Sequence, residues 1–131
     1  MASGPERLNV SILKGLPVLI VEDAWHVAKA LKSTLEQIGM HVVGPTATTA
    51  EARSLTSAQS PQLAVVDVNL KQETSCGLID ELHQRGVRVI IISGYAAPAV
   101  SEDRVAAFLQ KPFSETELIT TILRVFGPPV D

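Results

Sequence analysis

Carboxylate side chains follow two apolar runs in this sequence. Asp67 comes directly after residues 63–66, and the pair Glu22 and Asp23 comes directly after residues 17–21. Uncharged runs with β-branched residues are typical of strands buried on both faces of a parallel sheet, and ligands bind outside the carboxyl ends of such strands. We therefore interpret Asp67 as a chemically active group at the rim of a sheet, with a helix N-cap as the structural alternative.

Two further polar side chains follow apolar runs later in the chain. Ser93 follows residues 87–92, five of which are Val or Ile, and Lys111 comes two residues after the run that ends at Leu109. The carboxyl ends of neighbouring parallel strands lie along one edge of the sheet. We therefore expect the three carboxylates, the Ser93 hydroxyl and the Lys111 ammonium group to meet in one crevice.

The chemistry that this set of groups favours is phosphoryl transfer. Adjacent carboxylates repel one another by about 4 kcal/mol per pair at roughly 4 Å and an effective dielectric of about 20, so three of them need a cation. An all-oxygen cluster suits Mg²⁺, which completes its coordination with water and phosphate oxygens. Lys111 adds a positive charge, and the Ser93 hydroxyl can donate to a phosphoryl oxygen. Because this reaction depends mainly on positioning and charge neutralisation, we predict that Asp67 is the nucleophile.

Length, charge and cysteine content exclude several classes of protein. The 131 residues are enough for one domain, and the net charge of -3 predicts no basic surface for direct nucleic-acid binding. The single cysteine, Cys76, excludes an internal disulfide and a cysteine-based zinc site. No apolar run is long enough to span a membrane, and residues 1–15 lack the layout of a signal peptide. We therefore expect a cytoplasmic protein that does not bind a membrane.

Apolar periodicity predicts five strands that alternate with helices. The predicted strands are residues 17–21, 40–44, 63–67, 87–92 and 105–109, and Pro45 is expected to end the second of them. Capping boxes predict helix starts after Thr48 and after Ser114. Between residues 96 and 104, Pro98 and a polar cluster leave at most one or two helical turns, so the fourth helix is expected to be reduced.

This alternation predicts an α/β fold with a doubly wound, five-stranded parallel sheet. In the strand order 2-1-3-4-5, the first, third and fourth strands lie side by side where the order reverses. The folded domain is predicted to span residues 16–127. Residues 1–15 are expected to form a flexible N-terminal tail that packs loosely, and residues 128–131 a C-terminal tail.

From about residue 17 to residue 126 the chain resembles a response-regulator receiver domain of two-component signalling, of the single-domain type. The matching residues are Glu22 and Asp23, Asp67, Ser93, and Lys111 followed by Pro112 and Phe113. Each motif is weak alone, but in this order and at strand ends they are specific. The resemblance implies a flavodoxin-like fold and a signalling switch whose own chemistry is limited to self-catalysed phosphotransfer and slow autodephosphorylation.

The resemblance also implies particular partners and ligands. A histidine kinase or phosphotransfer protein would donate a phosphoryl group to Asp67, and an unknown downstream protein would read the modified state. Mg²⁺ would bind Glu22, Asp23, Asp67 and the backbone carbonyl of Asn69. The bond between Lys111 and Pro112 would be cis. A monomer or a weak dimer fits this type of protein.

The sequence departs from the family pattern on both sides of Ser93. The loop between Asp67 and Gly77 is longer than usual and lacks the common proline, whereas the interval from Ser93 to Lys111 is shorter. Phe108 occupies the position of a switching aromatic residue that would respond to movement of Ser93. Packing of Phe108 in the core is the alternative.

Asn69 and Tyr95 each lie two residues after a polar strand end, Asp67 and Ser93 respectively. We expect their side chains to stand over the crevice and to set the lifetime of the phosphorylated state. Asn69 could orient an attacking water, and Tyr95 could exclude it. The alternative is that both residues serve turn geometry.

Other functions remain open at this stage. An Mg²⁺-dependent phosphohydrolase with an aspartyl nucleophile is the main alternative, but residue 69 is Asn where such enzymes have the second Asp of a D-x-D motif. A dinucleotide or flavin domain is disfavoured because residues 22–26 contain no glycine. The chain could also be the receiver fragment of a hybrid histidine kinase, or act as a phosphate sink.

Overall fold

The computed structural model describes residues 9–71, 73–94 and 102–126. Five parallel strands form one sheet in the order β2-β1-β3-β4-β5, as predicted. The strands are β1 (Pro17–Val21), β2 (His41–Thr46), β3 (Leu63–Asp67), β4 (Arg88–Ser93) and β5 (Ala107–Gln110). The reversal of order between β1 and β3 opens the crevice that the sequence predicted at this edge of the sheet.

In the described residues, four α-helices connect and cover the strands. They are α1 (Trp25–Gln37), α2 (Thr49–Gln59), α3 (Cys76–Gln84) and α4 (Glu115–Phe126). The capping box of α4 is complete, because the Ser114 amide donates to the Glu117 side chain at 2.9 Å and the Glu117 amide donates to Ser114 Oγ at 3.0 Å. In the described part of the chain, no helix is long and apolar enough to cross a membrane.

Side chains that alternate along the strands divide the core into two layers. The first layer contains Leu19, Val66 and Ile91 and packs under α2 and α3 through residues such as Leu78 and Ile79. The second layer contains Ile20, Val65 and Ile92 and packs under α1 and α4 through residues such as Leu35 and Leu118. Every residue of β3 is buried, so its last residue, Asp67, is fixed from both faces.

Strand β2 continues past the proline that was predicted to end it. Gly44 has a φ of +93° and precedes a cis bond to Pro45, and a Cβ on Gly44 would lie 3.0 Å from the Thr46 amide. The register with β1 shifts at this point, so that Thr46 pairs with Val21 and the Glu22 amide donates to the Thr46 carbonyl at 2.9 Å. The prediction of a break at Pro45 was wrong because a glycine bulge absorbs the proline.

The expectation of a loosely packed segment before residue 16 was wrong for its last residues. Ser11–Leu13 forms a 3₁₀ turn, and Leu13 is fully buried in the layer under α1 and α4. The Gly15 amide also donates to the Gly39 carbonyl at 2.7 Å. Burial of one leucine contributes about 2 kcal/mol toward holding this turn on the domain.

The interval between β4 and β5 has little helix in its described part. Glu102–Arg104 forms a single 3₁₀ turn there, and Arg104 pairs with Asp80 of α3. Strand β5 begins at Ala107, two residues later than predicted. The observed turn agrees with the expected reduction of a helix at this place, as far as residues 102–104 are concerned.

Candidate functional site

Asp67 ends the central strand and lies in the crevice with little exposure. Its side chain is held on both oxygens: the Asn69 amide donates to Oδ1 at 3.0 Å, and Lys111 Nζ donates to Oδ2 at 3.1 Å. The residue is 6% exposed. These two donors fix the orientation of the carboxylate, and its exposed remainder faces the crevice.

The acidic pair after β1 lies next to Asp67, as predicted. One carboxylate oxygen of each of Glu22, Asp23 and Asp67 lies within 4.8 Å of the others. Glu22 is 2% exposed, and its Oε2 accepts from the Ala24 amide at 3.1 Å. Asp23 is more exposed and accepts a hydrogen bond from the Lys71 amide. The turn after β1 thus holds both acids at the mouth of the crevice.

Lys111 reaches across the crevice from the end of β5. Its Nζ lies 2.7 Å from Glu22 Oε1, and its amide donates to the Ser93 carbonyl at 2.7 Å. Burial acts to lower the pKa of Lys111, but the close contacts with the Glu22 and Asp67 carboxylates outweigh this effect and hold that pKa above its usual value. The ammonium group therefore stays charged beside two acids.

Burial shifts the pKa of Glu22 in the direction opposite to its effect on Lys111. It raises the pKa of the Glu22 carboxyl above its usual value, although the contacts with Lys111 and the Ala24 amide act to lower it. The Oε1 atom is buried and accepts no well-aligned hydrogen bond among the described residues, so its polar neighbour is the Lys111 charge. An oxygen in this position can accept a further positive partner.

The donor set fits Mg²⁺. Three carboxylates and one ammonium group leave two negative charges in the crevice, which a divalent cation would neutralise. All the available ligands are oxygen atoms, which Mg²⁺ prefers, and the partly exposed Asp23 leaves access for the waters that this ion retains.

Ser93 ends β4 next to this cluster. The residue is fully buried, and its neighbour Ile92 pairs with Asp67 in the parallel register of β3 and β4. Ser93 itself pairs with Gln110, the residue before Lys111. The fold therefore places the Ser93 hydroxyl at the same edge of the sheet as the carboxylate and the ammonium group.

The family model of the response regulator receiver domain matches residues 18–123 of the chain. This chain belongs to that family. The C4-dicarboxylate transport transcriptional regulatory protein DctD of Pseudomonas aeruginosa is 34% identical over 116 residues, which cover 82% of this chain and 24% of that protein. The photosynthetic apparatus regulatory protein RegA of Cereibacter sphaeroides is 28% identical over 112 residues, covering 81% of this chain and 60% of that protein.

The fold comparison agrees with the family. The solution structure of the receiver domain of the PhyR response regulator from Erythrobacter litoralis superimposes with a TM-score of 0.78 at 25% identity, over 92% of this chain and 99% of that one. This chain spans less than two thirds of the curated relatives DctD and RegA, so both are longer than the region that matches.

The receiver domain contains site residues that the sequence did not reveal. Ser75 is fully buried, and its hydroxyl donates to the Asp67 carbonyl and lies 3.2 Å from the Val68 carbonyl. Glu73 accepts two hydrogen bonds from Thr49 at the start of α2. The sequence signal was weak, since both residues lie in a polar stretch that was read as an ordinary loop.

Three single residues near the crevice or at the start of α1 are exposed to solvent. Phe108 is 37% exposed, so the alternative of a core phenylalanine was wrong. The Asn69 side chain is exposed beside Asp67, while Tyr95 lies outside the described residues and its role stays a prediction. Trp25, at the start of α1, is 73% exposed, and the Lys29 ammonium group lies 4.9 Å from the centre of its ring.

Proposed function

We propose that this receiver domain accepts a phosphoryl group on Asp67 from a histidine kinase or phosphotransfer protein and thereby changes its binding to a downstream protein. The observation that supports this best is the pairing of a nearly buried Asp67 carboxylate with Lys111 at 3.1 Å, next to Glu22 and Asp23. Membership of the receiver family supports the same chemistry.

The residues of the crevice have different roles in phosphoryl transfer. A carboxylate oxygen of Asp67 attacks the phosphorus atom and displaces the imidazole nitrogen of the donor protein's phosphorylated histidine, while the Asn69 amide and Lys111 hold the carboxylate in place. Asp23, Glu22, Asp67 and the Asn69 carbonyl are the residues that would hold Mg²⁺. When bound, this ion supplies the charge neutralisation that a phosphoryl group needs beside three acids. Lys111 lies close enough to Asp67 to pair with a phosphoryl oxygen on it.

Ser93 and Phe108 are the proposed route from the phosphoryl group to the surface. Ile91 pairs with Phe108 and Ser93 pairs with Gln110, so the two residues lie on adjacent strands close to the site. The Ser93 hydroxyl would move toward a phosphoryl oxygen, and the partly exposed Phe108 ring would rotate into the vacated space. Phosphorylation then shifts an equilibrium by as much as it favours one of the two arrangements.

Label mapping tests the assignment of the acceptor. The wild-type protein is incubated with a small acyl phosphate and Mg²⁺, and the modified residue is identified by mass spectrometry. Asp67→Asn should abolish labelling, and Asp80→Asn is the matched control because Asp80 pairs with Arg104 away from the crevice. A label on another residue, or undiminished labelling of Asp67→Asn, would exclude Asp67 as acceptor.

Incubation of the same protein with phosphate esters, followed by measurement of the phosphate released, separates a switch from a phosphohydrolase. A receiver domain forms a stable aspartyl phosphate and releases phosphate slowly, whereas a hydrolase turns over phosphate esters continuously. Residue 69 has an exposed amide side chain and no carboxyl group that could protonate a leaving group. We therefore expect one phosphoryl group per chain and no turnover of ester substrates.

A further inference from the structure

Between β3 and α3, the described residues 68–71 and 73–75 form a small hairpin over the crevice. Asn69 and Thr74 form an antiparallel bridge, and the Leu70 amide donates to the Glu73 carbonyl at 3.1 Å. Val68 and Leu70 are buried in the core layer under α2 and α3. The hairpin therefore has one apolar side in the core and one polar side toward solvent.

This hairpin contacts two of the three acids through main-chain N–H groups. The Asn69 amide donates to Asp67 Oδ1 at 3.0 Å, and the Lys71 amide donates to Asp23 Oδ2. Hydrogen bonds from backbone N–H groups to a carboxylate are strong and directional. A displacement of the hairpin would therefore change the orientation of both carboxylates.

Glu73 ties the hairpin to α2. Its Oε1 accepts from the Thr49 hydroxyl at 2.6 Å, and its Oε2 accepts from the Thr49 amide at 3.0 Å. Thr49 is the first residue of α2, so its amide has no partner within the helix, and the positive end of the helix favours a carboxylate there. The N-cap Thr48 accepts from the Glu51 amide, so Glu73 serves a donor that the cap does not.

Thr49, which binds Glu73, is itself linked to the backbone of Glu22. Thr46, at the end of β2, accepts from the Glu22 amide at 2.9 Å, and Thr49 follows it by three residues. Arg53 donates to the Thr49 hydroxyl at 3.3 Å and pairs with Glu81 of α3 at 2.7 Å. The anchor of the hairpin and the backbone of Glu22 therefore belong to one hydrogen-bonded frame.

From this geometry we infer that Glu73 is a positioning residue of the phosphotransfer site. It holds residues 69–71 against Asp67 and Asp23 through a contact with Thr49, far from the acids in sequence. Its effect on phosphotransfer rests on the proposed function, but its effect on the hairpin does not. The loop is long and has no proline to restrict its backbone, and the contact between Glu73 and Thr49 restricts it instead.

Amide hydrogen exchange and labelling together test this inference. The variants are Glu73→Ala, Glu73→Gln and Thr49→Val, with Glu51→Ala as the control, since Glu51 is an exposed acid in the first turn of the same helix. Loss of two charge-assisted hydrogen bonds predicts about tenfold faster exchange of the Asn69 and Lys71 amides in Glu73→Ala, and acyl-phosphate labelling of Asp67 that is several-fold slower. Glu51→Ala should match wild type in both measurements.

The conservative variant separates positioning from general stability. In Glu73→Gln the amide oxygen can accept from the Thr49 amide and the NH₂ group can donate to the Thr49 hydroxyl, so most of the wild-type rate should return. Glu73→Ala that melts earlier, with unchanged exchange at Lys71 and unchanged labelling, would overturn the inference and leave Glu73 as a helix cap. Wild-type protein that takes no phosphoryl group would instead refute the proposed function, and exchange at Lys71 would still decide the role of Glu73.

Discussion

Lys111 places its ammonium group 2.7 Å from the buried carboxylate of Glu22, and the same nitrogen lies 3.1 Å from Asp67. The Glu22 side chain is fully buried, so its charge is tolerated largely because Lys111 faces it. The pair therefore has two functions in one contact. It neutralises a buried acid before metal or phosphate arrives, and it keeps a positive charge beside the proposed acceptor.

Replacement of Lys111 should reveal both functions. Lys111→Met removes the positive partner of Glu22, and we expect the free energy of unfolding without Mg²⁺ to fall by about 3 kcal/mol, as for other broken buried pairs. Denaturant unfolding measures this loss. Adding Glu22→Gln should restore much of the stability without restoring phosphorylation. Equal losses in the single and double variants would show that Lys111 contributes through packing alone.

Metal binding should appear as added stability that depends on Asp23. A ligand that binds only the folded state at 100 times its Kd stabilises by about 2.7 kcal/mol, so Mg²⁺ should raise the Tm of the wild-type protein. Asp23 is only partly buried, so Asp23→Asn should fold and lose most of this increase. Asp80→Asn is the control outside the cluster. A Tm increase that survives Asp23→Asn would place the ion elsewhere.

Acid should weaken the anchor of the hairpin. The hydrogen bonds from the Thr49 hydroxyl and amide lower the pKa of Glu73 below its usual value of 4.5. A group whose pKa is lower in the folded state contributes stability that is present above pH 4.5 and is lost as the pH falls through the folded-state pKa. The stability difference between wild type and Glu73→Gln should therefore shrink as the pH falls below 4.5 and through the folded-state pKa of Glu73. A constant difference across the acid range would contradict the charge-assisted anchor.

Coupling between Ser93 and Phe108 can be followed by NMR of the Phe108 ring. A phosphoryl mimic such as beryllium fluoride should shift the ring signals in the wild-type protein with Mg²⁺. Ser93→Ala lacks the hydroxyl that follows the mimic, so the shift should be much smaller. Ser33→Ala, on the exposed side of α1, should behave like wild type. A shift in Ser93→Ala as large as in wild type would disprove the coupling.

The sequence revealed the strands and their polar ends because burial imposes a simple pattern. A run buried on both faces must be apolar, so Asp67 and Ser93 were visible where β3 and β4 end. Strand β2 was misjudged because Gly44 adopts a φ of +93° that allows the chain to pass Pro45 and reach Glu22. No local pattern shows such a bulge, since its reason is a hydrogen bond to another strand.

The hairpin over the crevice was hidden for a related reason. Glu73 and Thr49 are 24 residues apart, and neither belongs to a local motif that would indicate their contact. Ser75 was likewise read as a loop residue, although burial forces its hydroxyl onto the carbonyls of β3 and the residue after it. Polar residues that serve distant partners have no periodicity, so a sequence shows their presence but not their role.

The lifetime of a phosphoryl group on Asp67 should depend on how water reaches it. Hydrolysis needs a water in line with the bond from Asp67 to phosphorus. The Asn69 side chain is exposed next to Asp67 while its amide is bound to Oδ1, so the side chain is free to orient such a water without moving the carboxylate. Tyr95, two residues after Ser93, is predicted to exclude it.

These two residues should therefore act in opposite directions. Asn69→Leu keeps the backbone amide and removes the polar group, so loss of phosphate should slow several-fold. Tyr95→Ala removes the bulk and should speed the loss by a similar factor, whereas Tyr95→Phe should match wild type if size alone matters. Decay of the label after removal of the donor measures each rate, with Mg²⁺ affinity checked in parallel. Unchanged decay in both Asn69→Leu and Tyr95→Ala, with Mg²⁺ binding intact, would assign both residues to turn geometry.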